Sequence, residues 1–245
     1  MPSKLYYATE DFEEALRTCG KSLAACTRVD AITRARVADT GEDMLAWREN
    51  FVRAHIHASM WTVDETDEAG RWRSNNTREA MENSLRDMIR RGNSAVSARE
   101  KEAKRELKVA YKAYFFFIRA FQDSCYNALL SLNGERPSNR SSMSKGVSKT
   151  SGPMYDVLQG VTGYVAWFTG FKEKRDRIKV GVNLSLCGPQ WDVGIGLTRQ
   201  TSDGRLIVNA SEQGDKVRIS DIAEAFQFST SLLRAIQSKA QDLSP

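Results

Sequence analysis

The 22 residues Leu107–Ala128, LKVAYKAYFFFIRAFQDSCYNA, decide the fold class. Within them Leu107, Tyr111, Tyr114, Ile118, Phe121, Cys125 and Ala128 recur at alternating spacings of four and three, the period of one face of an α-helix. The pattern predicts a long helix over residues 95–132 as the central element of the core. Phe115, Phe116 and Phe117 add apolar surface on its other sides, which predicts neighbours all round its centre. Arg119 and Asp123, four residues apart, predict an ion pair on its surface.

Upstream, Phe12, Leu16, Cys19, Leu23 and Cys26 mark one helix face, a second helix is expected near 30–38, and Met44, Trp47, Phe51, His55, Ala58 and Trp61 continue the helical period. An acidic, Gly-containing loop from Asp64 to Ser74 precedes a helix capped by Asn76 or Thr77 and running to Arg91-Gly92. Downstream, Asn133–Gly152 is rich in Ser, Gly, Asn and Lys without periodicity and reads as a mobile basic loop. Met154, Leu158, Val161, Val165, Phe168 and Phe171 form one further helical stripe, with Gly160, Gly163 and Gly170 allowing close approach to a neighbour.

After Gly181 the period changes from 3.6 to 2. Val182, Leu184 and Leu186 alternate with polar residues, as do Trp191, Val193, Ile195 and Leu197; Asp203-Gly204 suits a tight hairpin turn before RLIVNA, and a short strand is expected at 216–219. Asp221 as cap with Glu224 three residues later heads a last helix that turns Ile222, Phe226, Leu233 and Ile236 inward. The expected class is α+β and predominantly α: a helical bundle over residues 1–180, and over 181–245 a small antiparallel β-sheet and terminal helix packed on it.

Composition narrows the function classes. The chain of 245 residues is long enough for a sizeable core. Cys19, Cys26, Cys125 and Cys187 are scattered and only two His are present, so no metal-ligand cluster is written in the sequence and no cofactor is expected. Reduced, buried thiols fit a cytoplasmic location. Neither a signal-peptide core nor a run of about 18 apolar residues occurs, so no membrane span is expected. The Gly194-Ile-Gly196 run sits in an alternating segment without a following Lys-Ser or Lys-Thr, which speaks against a phosphate loop and for a bend or bulge.

Charge is unevenly placed. Residues 134–180 carry nine cations against four anions, a surplus equal to the net charge of +5 of the whole chain. Clustered positive charge attracts polyanions, and the candidates here are Lys172, Lys174, Arg175, Arg177, Lys179, Arg140, Lys145 and Lys149. The alternative reading of such a surplus is an ordinary solvated basic face.

Within that window, Tyr164-x-x-Trp167-Phe168 is followed by Arg175-Asp176 and by Ile178-Lys179 and Gly181, all after the long helix. Over residues 95–181 this arrangement resembles the HEPN superfamily of helical bundles. The resemblance implies a dimer-prone bundle from a group that includes RNases and nucleotide-binding partners in toxin–antitoxin and defence systems. That family's catalytic signature is an Arg, a polar residue and, four to six intervening positions after the Arg, a His. Arg175 and Asp176 match its first half, but Val180, Gly181 and Val182 occupy the positions open to the His. Arg48-Glu49 with His55 after six intervening residues has the full spacing; with 23 Arg and two His in the chain, about half such a match is expected by chance. His55 also lies in an apolar stripe, which favours a packed imidazole over a catalytic one. His57 is off that stripe and has no evident partner in the sequence.

These readings favour a non-catalytic protein that binds RNA, a nucleotide or an acidic partner through its basic surface. A metal-independent ribonuclease is the first alternative, with Arg175 and Asp176, or Arg48 and His55, transferring protons and stabilising phosphate charge. A protein-interaction module using the alternating segment around Trp191 is the second.

Overall fold

A computed structural model of the chain describes residues 2–59, 94–138, 140–180, 184–187, 194–200, 206–208 and 216–244. It is predominantly helical: α1 (Pro2–Ala25), α2 (Ala31–Ser59), α3 (Ser94–Leu132), α4 (Met143–Val147), α5 (Pro153–Gly160), α6 (Tyr164–Val180) and α7 (Ile219–Asp242). Among the described residues no helix is long and apolar enough to cross a membrane. The helix expected from Asn76 or Thr77, the acidic loop before it, the Asp203-Gly204 turn and Trp191 lie outside the described residues.

The stripe on α3 organises the bundle. All seven of its positions are at most 2% exposed, and α3 lies against α2 on one side and α7 on another. α1 joins the same core through Phe12, whose ring stands edge-on to Phe121 of α3 and to Phe226 of α7, each at 5.2 Å. Such edge-to-face pairs are favoured by the ring quadrupole. Trp47 of α2 buries its indole and donates from Nε1 to the Ala110 carbonyl at 3.0 Å, which satisfies the polar end of an otherwise apolar side chain. Phe115 packs inward as expected, but Phe116 is 68% exposed, so the centre of α3 is not enclosed on every side.

Several boundaries differ from expectation for local reasons. α2 runs unbroken through Gly41, where α1 passes so close that a Cβ would lie 2.6 Å from Leu16 Cδ2. Its start is set by Asp30, whose carboxylate accepts from the Thr33 amide at 2.8 Å and the Thr33 hydroxyl at 3.0 Å. That amide is the main reason the Asp30 carboxyl sits below its usual value. The stripe from Met154 to Phe171 is divided between α5 and α6, because Gly163 takes φ +76° between them. Gly163 faces Phe228 at 3.5 Å from its would-be Cβ, whereas Gly160 and Gly170 have no neighbour within 4 Å and mark no close approach. The segment expected as a loop at 133–152 contains α4, seated by the buried Met143 and by Gly146, where a Cβ would lie 2.6 Å from Tyr126 Cε2.

Extended structure is brief. β1 (Leu184–Cys187) and β2 (Gly194–Gln200) pair antiparallel with Leu184 opposite Leu197. β3 (Leu206–Val208) pairs with the end of β2, Thr198 opposite Val208, and β4 (Lys216–Val217) pairs with β2, Ile195 opposite Val217. The last strand therefore returns to β2 rather than continuing a simple meander. Gly194 marks a close backbone approach, since a Cβ there would lie 2.2 Å from the Val217 carbonyl oxygen. α7 begins one turn earlier than the sequence suggests: Arg218 is the N-cap, and Asp221, at the third helical position, accepts the Arg218 amide at 2.7 Å.

Candidate functional site

Arg48, Phe51, Val52, His55 and Ile56 recur at three- and four-residue steps and so share one face of α2. Opposite them, α1 presents Leu5, Tyr6 and Tyr7, and together they line a groove of about 360 Å³. Tyr6, Tyr7 and Ile56 are 51%, 64% and 59% exposed, so the rim is aromatic and apolar. The Arg48 guanidinium carbon lies 6.0 Å from the Tyr6 ring centroid, at the outer limit for a cation–π contact. A hydrogen bond to Glu10 is the main influence pushing the Tyr6 phenol above its usual range. His55 is 8% exposed and packs its ring 6.0 Å from that of Phe51.

The groove thus unites Arg48 and His55, one pair singled out by the sequence. Its tyrosines were missed there, although a signal existed. Leu5, Ala8 and Phe12 form the buried face of α1, and two adjacent aromatics out of phase with it must point elsewhere. His57 lies apart, its Nδ1 3.3 Å from Glu106 Oε2 of α3 in a half-exposed pair.

The second pair, Arg175 and Asp176, belongs to a different surface. Arg175 directs Nε and Nη2 at Asp176 Oδ1, at 3.0 and 2.7 Å, and its side chain is 24% exposed. It continues the Tyr164, Phe168, Phe171 stripe by one further step of four, which brings it toward the junction of α3, α4 and α6. There Asp123 accepts from Arg119 Nε at 2.9 Å and from the Met143 amide at 2.7 Å, and Arg119 also donates to Ser144 Oγ at 2.9 Å. Arg119 lies over the Phe168 ring at 5.3 Å from its centroid. Burial raises the Asp123 carboxyl above its ordinary value, against the opposing influence of the Met143 amide, Arg119 and Arg175. This junction anchors α4 to the bundle.

The expected cations divide into engaged and exposed sets. Lys174 Nζ lies 2.5 Å from Asp221 Oδ1, and Lys149 lies 4.0 Å from Glu135. Lys172, Arg140 and Lys145 are exposed. The side chains of Arg177 and Lys179 lie outside the described residues. Among the described residues no three His, Cys, Asp or Glu side chains gather as a metal ion would require.

Comparison of the chain with protein-family models, with curated proteins and with solved structures finds no match.

Proposed function

We propose that this chain is a HEPN-like helical protein that binds single-stranded RNA or a nucleotide, without turning it over, in the groove between α1 and α2. The observation that carries this reading is the meeting of Arg48 with two exposed tyrosines in one concave surface. Tyr faces accept stacked bases of any sequence, and a guanidinium offers a phosphate two donors in a fixed plane. About 360 Å³ suits one nucleotide unit rather than a long strand. The exposed Lys172, Lys145 and Arg140 add long-range attraction for a polyanion.

Turnover is disfavoured by the burial of His55. A general base must come within about 3 Å of the proton it removes, and an imidazole packed on Phe51 at 8% exposure offers little more than an edge. Its place in the stripe gives it a packing role.

Anisotropy of a fluorescent single-stranded RNA, titrated with the protein across a salt series, tests the proposal. Binding must weaken steeply as salt rises. Tyr7→Ala should weaken it by about 5- to 100-fold, as the loss of one stacked base does, and Arg48→Ala should reduce the salt slope. Salt-indifferent binding, or binding untouched by both variants, refutes the groove. Cleavage of the probe by the wild type, abolished in His55→Ala, would replace binding with ribonuclease activity.

A further inference from the structure

A second concavity lies where α6 crosses α3 and the first turns of α7. It measures about 170 Å³ and is lined by Tyr114, Trp167, Phe171, Lys174, Asp221 and Glu224 among others. Its volume is below the roughly 300–1,000 Å³ of pockets for drug-sized molecules, so its occupant is a compact one.

The aromatic side is built rigidly. Trp167 stacks on Phe171 at 5.6 Å and on Phe228 at 5.0 Å, with interplanar angles of 23° and 19°. Tyr114 is buried, and its hydroxyl is already donated to the Asp221 carbonyl at 3.2 Å. Gly170 stands at the cleft, and no atom lies within 4 Å of the position a Cβ would take, so the space above the α6 backbone is open.

The polar side is not balanced. Both oxygens of Asp221 are engaged, Oδ1 with Lys174 and Oδ2 with the Arg218 amide. Glu224, one turn further along α7, faces the same cleft and has no hydrogen bond or ion pair among the described residues. Two carboxylates against one ammonium leave a formal charge of −1 beside aromatic rings. Aromatic rings beside an uncompensated carboxylate suit an organic ammonium group.

We infer that this cleft is a binding site for a small organic cation, an alkyl- or arylammonium ion, with Glu224 as its counterion and the Trp167–Phe171 wall receiving its carbon skeleton. Glu224 is pushed above the ordinary carboxylate range, first by burial and then by Asp221, with Lys174 opposing. The positive charge of a bound ammonium would oppose both influences, as Lys174 does, by favouring the ionised carboxylate. The site is separate from the α1–α2 groove, and its occupation does not depend on RNA binding.

Benzylamine and its uncharged analogue benzyl alcohol, titrated into the full chain at pH 7 with ligand-observed NMR, decide the matter. Benzylamine is expected to bind at least about tenfold more tightly than the alcohol, the difference one charge-assisted contact supplies. Glu224→Gln, at an exposed helix position, should remove that preference, and Gly170→Leu should block both probes by filling the cleft. Arg48→Ala should leave benzylamine binding unchanged, which separates this site from the groove. Equal binding of the two probes, undiminished preference in Glu224→Gln, no benzylamine binding at all, or binding lost in Arg48→Ala each overturns the inference.

Discussion

Removing one hydroxyl from the centre of the bundle is expected to destabilise it more than removing three polar groups together. Gln122 of α3, Tyr164 of α6 and Ser229 of α7 are each 0% exposed. The Tyr164 hydroxyl donates to Gln122 Oε1, and Gln122 Nε2 donates to Ser229 Oγ at 2.8 Å. Tyr164→Phe keeps the ring and opens no sizeable cavity, so its cost is the desolvated Gln122 oxygen, about 1–3 kcal/mol. For a chain of this length each kcal/mol corresponds to about 2–4 °C, so a loss of about 2 kcal/mol lowers Tm by about 4–8 °C. The triple variant Gln122→Leu/Tyr164→Phe/Ser229→Ala leaves no orphaned donor or acceptor within the set and should approach the wild type. Urea unfolding followed by far-UV circular dichroism gives the free energies of the single and triple variants, provided m is unchanged, and thermal melts give the Tm shifts. The reasoning fails if Tyr164→Phe lies within about 0.5 kcal/mol of the wild type, or if the triple variant loses as much as the summed singles.

Two further outcomes follow from local geometry. Gly146→Ala would place Cβ 2.6 Å from Tyr126 Cε2 and should cost about 1–3 kcal/mol, whereas Gly20→Ala, with nothing within 4 Å in mid-helix, should stabilise by about 0.5–1 kcal/mol; thermal melts of the two variants should therefore move in opposite directions. Asp123 is held above its ordinary value of 3.8, chiefly by burial, so the folded state binds that proton more tightly than the unfolded chain. Its favourable contribution is complete below 3.8 and is lost as pH rises through the folded value. The stability of the wild type relative to Asp123→Asn, measured by urea midpoints across acid pH, should accordingly fall with rising pH; a difference that grows with pH would contradict the burial argument.

What the sequence discloses depends on the range of the interaction responsible. The α3 stripe was legible because all seven residues answer to one period and bury together. The Arg119–Asp123 pair was legible for the same reason, being one helical turn apart. The break at Gly163 was hidden because the apolar spacing continues across it even though the backbone does not. The N-terminus of α7 was misplaced because an Asp three residues inside a helix can reach back to the cap amide, leaving much the same sequence signature as an Asp at the cap. α4 had no local signal: it is seated by Asp123 on Met143, twenty residues away, and by the Tyr126 ring over Gly146. At the groove, spacing alone put Arg48 and His55 on one face of α2, but the concavity depends on where α1 lies.

Charge shows the same division between local count and tertiary use. The surplus of five in residues 134–180 treats Lys174 as an available cation, yet its partner Asp221 stands 47 residues on, outside that window. The two side chains are 25% and 23% exposed, so a polyanion would have to strip a partly buried pair and leave Asp221 uncompensated. Arg175 differs, because its partner Asp176 is 51% exposed and returns readily to water. Although Arg175 is itself 24% exposed, the carboxylate its release leaves behind stays in water, so a charge-assisted contact to phosphate can offset the loss. Among the described side chains of α6, therefore, the cations able to answer a polyanion are Lys172, which is exposed, and Arg175, which can be released; Lys174 instead ties α6 to α7 through Asp221.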